Sequence, residues 1–439
     1  MANDSTRSLP ERFERALGAI TARVFDSGPF DSGTGLKSRR AMAVAFSGGL
    51  DSGVLLHLTH GYAAVHGITL HAFHVHHGLA ADADAWLAHC RAQADVYDVA
   101  FDARHVSVDA DEGSGIEAAA RSVRYAALGD MCRAHDVPLL LTAHHLDDQA
   151  ETVLLQLLRG SGVAGLSGMD ACNHAPALLG DPVLQMGRPL LASARADLQA
   201  HAAAHDVAYI EDPSNSDPRH ARNALRLQVM PVLAAVFPGF ARRFARSAGH
   251  AQSAQQLIVE LAAQDYAQCV CDDAGTALAL GGMRRLSAVR GDNLLRYWFA
   301  RRGMRMPSTA WLQELRGQLM QARADARILV GHADCDLHRH RDRVVMTARI
   351  RAPDPEQPCE SFTWSGVARM DFPAFGGALH FEPAPVGVDA TWLRNQVLAL
   401  QWRSSGWRLK PAANTPRAAS STTTRRRTFP PGSARTCRW

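Results

Sequence analysis

Two short strings carry residue types that can do chemistry together. The first is Ser47-Gly-Gly-Leu-Asp-Ser52, entered directly from the apolar run Met42-Ala-Val-Ala-Phe46. Gly48 and Gly49 let the backbone approach an anion closely and adopt dihedrals that a side chain would forbid. The N–H groups that open the following helix then point at the anion, and the helix dipole reinforces them. Ser47 and Ser52 add hydroxyl donors. Asp51 would repel phosphate directly, so it either ligates Mg2+ or caps the helix. A plain strand-to-helix turn with a Ser/Asp cap is the bland reading. A Walker A loop is excluded because the Gly-Lys-Ser/Thr ending is absent.

The second string is His144-His-Leu-Asp-Asp-Gln-Ala-Glu-Thr152, which follows an apolar strand and opens a helix. Asp147 and Glu151 stand four apart and share one helical face. Two carboxylates aimed the same way are unfavourable for stability alone and suit a site for Mg2+ and ATP. A His-His-x-Asp-Asp string also fits a transition-metal hydrolase. Against that, no second His/Asp cluster of matching spacing lies on a neighbouring strand end; His74, His76 and His77 come closest. Capping by Asp147 and Asp148 is the bland alternative.

These strings need a frame, and the flanking periodicity supplies one. Strands are expected at 43–46, 69–75, 101–108 and 138–143, alternating with helices at 53–65, 83–97, 116–135 and 147–158. This alternation predicts a parallel sheet covered on both faces. Residues 1–40 read as an amphipathic segment and a Gly/Ser/Asp linker, and 41–238 as the α/β catalytic domain. A glycine-rich loop is expected at 160–168 and a basic helix from 219 to about 236. Residues 240–322 are helical in period with no convincing strands, so 239–348 reads as a helical domain ending in short strands. Residues 349–439 read as a small α+β domain.

Composition narrows the class. The chain has 439 residues, 47% hydrophobic and 21% charged, which is room for a large core and about three domains. No apolar stretch approaches the ~20 residues of a membrane span, and the N-terminus lacks a secretory apolar region. A cytoplasmic protein with no membrane partner is the expectation. The eight cysteines contain no Cys-x-x-Cys pair, which argues against zinc-ribbon and iron–sulfur sites. A net charge of +4, almost all arginine on the basic side, permits a polyanionic partner.

Taken together, the motifs resemble the tRNA(Ile)-lysidine synthetase family, PP-loop enzymes of N-type ATP pyrophosphatase fold (adenine nucleotide alpha-hydrolase-like). The resemblance rests on Ser47 to Ser52, His76-His-Gly-Leu79, Glu117-Ala-Ala-Ala-Arg-Ser-Val-Arg-Tyr125 and His144 to Thr152. Arg159-Gly-Ser-Gly162, Arg188-Pro-Leu-Leu191, Asp212-Pro-Ser-Asn215 and Arg222-Asn223 complete it. It covers about 40–230 closely, 240–345 more loosely and 395–411 at the start of a C-terminal tRNA-recognition domain.

The resemblance implies ATP and Mg2+ as cofactors. The implied substrates are free L-lysine and an isoleucine tRNA with a CAU anticodon, and the implied assembly is a homodimer. The wobble cytidine would be adenylated and then attacked by lysine, switching codon reading from AUG to AUA. It also implies site roles. Ser47, Gly48, Gly49, Leu50, Asp51, Ser52, His76, His77 and His144 would surround the nucleotide, with Mg2+ near Asp51 and Asp147. As isolated residues, His76 and His77 would be structural more often than not. Arg121 and Arg124 would meet phosphate or the lysine carboxylate. Glu117 would bind the lysine ammonium or take its proton. Asp51, Asp147, Glu117 and Arg222 form the expected catalytic set. Arg121, Arg124, Glu151, Arg188, Asn215, Asn223 and Arg226 form the expected substrate contacts. An i,i+4 ion pair for Glu117–Arg121 and an exposed basic face for Arg222 and Arg226 are the bland readings.

From about Pro416 the family pattern stops, and 418–433 has neither helical nor strand period. A basic tail able to touch RNA is one reading. The other is a frameshift near Arg417, because the alternate frame is codon-compatible with an Ile-Pro-Ala-Trp string resembling the family's. That would leave the last domain incomplete. Two other functions compete: a different PP-loop enzyme, such as a thiolase or amidotransferase, and a tRNA-binding remnant with weak catalysis. Missing Cys-x-x-Cys pairs and a missing glutaminase half oppose the first. The intact motifs oppose the second.

Overall fold

The computed structural model describes residues 7–26, 40–78, 82–107, 116–211, 221–321, 323, 328–349, 360–373, 377–381 and 389–400. The expected contacts of Asn215 and the reading of the chain beyond 416 lie outside these residues. The chain divides into two compact units, Met1–Gln256 and Leu257–Trp439.

The first unit opens with α1 (Leu9–Thr21), which runs into a π-helical turn, Ala22–Asp26. Then follow β1 (Ala41–Ala45), α2 (Leu50–His66), β2 (Thr69–His76), α3 (Ala83–Val96), β3 (Ala100–His105), α4 (Ile116–Ala134), β4 (Leu139–Leu141) and α5 (Leu146–Leu158). Short elements come next: α6 (Val163–Leu166), β5 (Cys172–His174), α7 (Pro176–Leu179), β6 (Gln185–Gly187) and α8 (Arg195–Ala204). The unit continues through α9 (Ala221–Ala224), a π-helical turn (Leu225–Val229), α10 (Met230–Val236) and the first half of α11 (Phe240–Cys269).

The six strands lie in the order β3-β2-β1-β4-β6-β5, parallel except for the edge strand β5. Alternation along β1 explains the two-sided burial. Met42 and Val44 pack with Phe13, Leu17, Leu55 and Leu198 from α1, α2 and α8. Ala41 and Ala43 pack on the other face with Tyr125, Leu128 and Met131 from α4. On that face α4 meets α7 so closely that a Cβ at Gly129 would sit 2.0 Å from the Leu179 carbonyl oxygen. No single helix among the described residues is long and apolar enough to cross a membrane.

The structure departs from the sequence-based expectation in five places. The expected N-terminal extension is not peripheral: α1 buries Phe13, Leu17 and Ile20 in the sheet core, and Arg12 bonds Asp197 of α8 at 2.6 Å. The boundary expected at 238 is displaced, because Phe240 and Phe244 of α11 pack against Ala150 and Met230. The glycine-rich loop contains the one-turn helix α6, and the basic helix is interrupted by a π turn. A strand also occurs in the stretch expected to be wholly helical, as described next.

The second unit holds the rest of α11, β7 (Ala277–Ala279), α12 (Leu280–Arg284), α13 (Ala288–Arg301), α14 (Thr309–Gln321), β8 (Leu329–Gly331), β9 (Cys335–His340) and β10 (Arg343–Ala348). The strands form an antiparallel sheet, β7-β10-β9-β8. Three residues are too few for a readable alternation, which is why β7 is invisible in the sequence. Trp298, Phe299, Leu312 and Leu315 fill this core with Leu337 and Val344. Trp298 donates its indole N–H to the Gly275 carbonyl at 2.7 Å. Beyond it, β11 (Glu360–Thr363), β12 (Arg369–Phe372), β13 (Gly377–His380), α15 (Ala390–Arg394) and β14 (Val397–Leu400) give two antiparallel pairs, β11-β14 and β12-β13.

Candidate active site

Successive strands step from β1 through β2 to β3, and the chain then crosses back to place β4 on the other side of β1. That reversal opens a crevice beyond the carboxyl ends of β1 and β4, where open α/β sheets bind ligands. Both motif strings are delivered there. A cleft of about 870 Å3 occupies this position, lined among others by Ser47, Asp51, His77, Arg124, His144 and Arg226. Its size lies in the range that accommodates a nucleotide-sized ligand.

The loop after β1 is built from its own polar atoms. Gly48 adopts φ +84°, and a Cβ there would lie 2.8 Å from the Cys90 sulfur. Ser52 Oγ donates to the Gly49 carbonyl at 3.0 Å and accepts from the Ser47 N–H at 3.3 Å. Ser52 therefore ties the loop shut, while the exposed Ser47 faces the cleft. His74, buried on β2, has Nδ1 2.9 Å from the Phe46 carbonyl oxygen and braces the loop from behind. The N-cap of α2 is Gly49, with no side-chain cap bond. Capping by Asp51 is thus set aside, leaving its carboxylate directed elsewhere.

Asp51 instead faces His145 and Arg195. Its Oδ2 is 3.7 Å from His145 Nε2, and its Oδ1 is 3.8 Å from Arg195 Nε. Burial alone would raise its pKa, but the neighbouring His145 imidazole, with Arg195 and Arg226, holds the carboxyl below its ordinary range. His145 is the N-cap of α5 and is buried among Asp51, Asp147 and Asp148. Burial opposes its protonation, yet the nearby carboxylates of Asp51, Asp148 and Asp147 raise its pKa. Its neighbour His144 goes the opposite way. Burial first, then Arg188, Arg121, Arg222 and Arg124, push His144 well below the usual imidazole range. His77 is lowered to about 4 by burial and by Arg124, His74 and His76. Two histidines adjacent in sequence are thus shifted in opposite directions.

The Asp147–Glu151 pairing expected from helical spacing does not form a shared metal site. Asp147 Oδ2 accepts the first N–H of α8, from Arg195, at 2.8 Å. Glu151 is buried, only 1% exposed, and is clamped by Arg222 Nε and Arg226 Nε, each at 2.7 Å. Asp148 closes the cluster with Arg222 and Arg226 at 3.1 and 3.2 Å, and it caps α5 as the bland reading had it. Arg222 and Arg226, four residues apart, reach one carboxylate together.

Of the predicted site residues, Ser47, Gly49, Leu50, Asp51, Ser52, His76, His77, Arg124, His144 and Arg226 line the cleft. Gly48, Arg121, Asp147, Glu151, Arg188, Arg222 and Asn223 are not among its lining residues. Arg188 is buried and bonds the Asp170 carbonyl and Asn173 Oδ1, both at 2.7 Å, so it braces the sheet edge instead of presenting its fork to a ligand. Arg121 lies over the Tyr125 ring at 4.9 Å. The Glu117 side chain lies outside the described residues. His145, Arg195 and His74 were missed as functional candidates. Only His145 left a signal, its place beside two acids, Asp147 and Asp148, on a helix N-terminus.

A glycine cradle at the end of β1, facing a cleft at the reversal point of a parallel sheet, defines a PP-loop nucleotide-binding enzyme. The PP-loop domain family model matches residues 13–233, and the TilS substrate binding domain matches residues 278–345. The chain is 43% identical to a tRNA(Ile)-lysidine synthase of Ralstonia nicotianae over 377 residues, 84% of this chain and 79% of that one. It is 39% identical to the tRNA(Ile)-lysidine synthase of Methylococcus capsulatus over 380 residues, covering 86% and 84%. The chain belongs to the tRNA(Ile)-lysidine synthase family.

Proposed function

We propose that this enzyme joins free lysine to carbon 2 of the wobble cytidine in an isoleucine tRNA with a CAU anticodon. It acts in the cytoplasm. Cytidine O2 attacks the α-phosphorus of ATP and the bond to pyrophosphate breaks. The lysine amine then adds at carbon 2, AMP departs with the oxygen, and the amine gives up a proton. Adenylation is needed because an oxygen bound to a pyrimidine is a poor leaving group until phosphorylated. The observation that carries this reading is the cleft, which sets the Ser47–Ser52 cradle opposite Arg124, His144 and Arg226 in a chain of this family.

In this reading the backbone of the cradle and the Ser47 hydroxyl hold the leaving phosphates. Arg124 and Arg226 supply guanidinium donors for phosphate or carboxylate. His144, pushed below the usual imidazole range by burial and then by its arginine surroundings, offers its ring beside the nucleotide. Arg222 and Glu151 act by positioning Arg226. Glu117, in the first turn of α4, is proposed to meet the lysine amine. Asp51 fits a Mg2+ ion: its carboxyl is held ionised, and Oδ1 is buried without a hydrogen-bond partner. Mg2+ binds through one or two carboxylates plus phosphates and waters, so a full protein cage is not required. Asp147, 40% exposed, stands ready as the second carboxylate. When bound, the ion would neutralise charge on the departing pyrophosphate.

The test is incorporation of labelled lysine into unmodified CAU-anticodon isoleucine tRNA, with and without ATP, alongside pyrophosphate release. Equal, ATP-dependent yields of both support the proposal. Tight tRNA binding with pyrophosphate release but no lysine incorporation would refute the choice of nucleophile.

A further inference from the structure

We propose that His76, Asp84 and His105 form a Zn2+ site beside the nucleotide cleft. His76 and His105 end adjacent parallel strands in register, and their ring centroids are 4.4 Å apart. Asp84 stands in the first turn of α3, with Oδ1 3.1 Å from His76 Nε2. One donor atom from each of the three residues lies within 4.8 Å of the other two.

The independent sign of a ligand is His76 itself. Its side chain is only 10% exposed, and Nε2 is buried with no hydrogen-bond partner. Asp84 Oδ1 is near but does not complete a hydrogen bond. A buried ring nitrogen left unpaired is costly, and a cation bridging the two imidazoles and the carboxylate would satisfy it. Asp84 and His105 are exposed, so the ion has an entry path and the outer two ligands can adjust to tetrahedral geometry.

Two imidazoles and one carboxylate make a mixed nitrogen–oxygen set that favours Zn2+ over Mg2+ or Ca2+, which prefer oxygen alone. Three protein ligands leave a fourth position for water or a ligand oxygen. An ion here would tie the ends of β2 and β3 to the start of α3. Ala83 and Trp86 of α3 line the cleft, so this wall of the nucleotide site would be fixed by the metal.

The experiment uses the full chain, stripped with chelator and titrated with Zn2+ and then, separately, with Co2+ as a spectroscopic probe. The expected result is one tight equivalent and the intense visible absorption of four-coordinate Co2+. The double variant Asp84→Ala/His105→Ala should weaken that equivalent by more than about 100-fold, beyond the usual cost of losing a metal's outer partners. The isosteric single variant Asp84→Asn should weaken it in the same direction if the double variant does not fold. His201→Ala, in a histidine cluster elsewhere on the unit, should leave it unchanged. Absence of the Co2+ band in the wild type would overturn the proposal. So would undiminished binding by a folded Asp84 variant.

Discussion

Glu151→Gln is the substitution whose outcome the geometry constrains most tightly. It keeps the shape of a side chain that is 1% exposed and removes the charge held between two guanidinium groups. Three contacts are at stake: Arg222 Nε and Arg226 Nε at 2.7 Å each, and Arg226 Nη2 at 3.1 Å. A glutamine amide retains one acceptor oxygen, while its NH2 is turned toward a donor. Arginine cannot escape by losing its proton. Charge-assisted bonds contribute about 1.5–3 kcal/mol each, and removing one side of a buried pair costs about 3–5 kcal/mol. Both arginines are 28% exposed and Asp148 remains as a partner, so the low end applies, about 3 kcal/mol. At roughly 2–4 °C per kcal/mol for a domain of this size, that is about 6–12 °C in melting temperature. Hydrogen exchange in α5 and the π turn should rise, while α13 in the other unit stays protected. A second change, Arg226→Gln, should recover part of the loss, with a coupling above about 1 kcal/mol. A fully stable Glu151→Gln, or losses that simply add, would show that the clamp contributes nothing.

Two further outcomes follow from the site and a third from the histidine cluster elsewhere on the same unit. Gly48→Ala should weaken ATP binding at least about tenfold, because the site needs φ +84° and the added methyl meets Cys90 at 2.8 Å. Adding Cys90→Ala should relieve only the steric part, and full recovery in an ATP titration would contradict the dihedral argument. Asp51→Asn should abolish pyrophosphate release while leaving tRNA affinity within about twofold, since only the carboxylate proposed to face Mg2+ changes; a competing loss of tRNA affinity would place Asp51 elsewhere in the mechanism. The third concerns pH. His201 is lowered to about 4 in the folded state by burial and by His205 and His57, against an ordinary 6.5. The unfolded chain therefore binds more protons between about 4 and 6.5, and stability rises with pH across that window. His201→Gln should flatten the slope of urea midpoints between pH 4.5 and 6.5, and an unchanged slope would assign it to His77 and the other lowered histidines.

The sheet and the cradle were legible because their signals are local. Alternating apolar runs and helical periods announced β1, β2, β4 and the helices between them, and Gly48-Gly49 announced a backbone anion site. What the sequence could not show was pairing at a distance. Asp147 and Glu151 do share a helical face, but spacing cannot reveal that Arg222 and Arg226, some seventy residues on, occupy Glu151, or that an α8 N–H occupies Asp147. Spacing is silent about Arg188 for the same reason, since its Asp170 and Asn173 partners come beside it at the β5–β6 edge of the sheet. The strand β7 escaped because three residues carry no measurable period.

The opposite shifts of His144 and His145 tie these points together. A phosphate loop carrying an aspartate faces a contradiction, since Asp51 repels the anion the glycines are arranged to hold. His145 moderates it. With its pKa raised among Asp51, Asp148 and Asp147, it offsets negative charge behind the loop and keeps Asp51 ionised for a cation. His144 shows that this upward shift does not extend to the adjacent ring, because burial and the guanidinium groups on that side push its pKa down. If His145 does this, His145→Gln should raise the Asp51 pKa, and the acid limb of ATP-dependent pyrophosphate release should move to higher pH. Retention of the wild-type acid limb in a folded His145→Gln variant would mean that Arg195 and Arg226 suffice to hold the carboxylate charged.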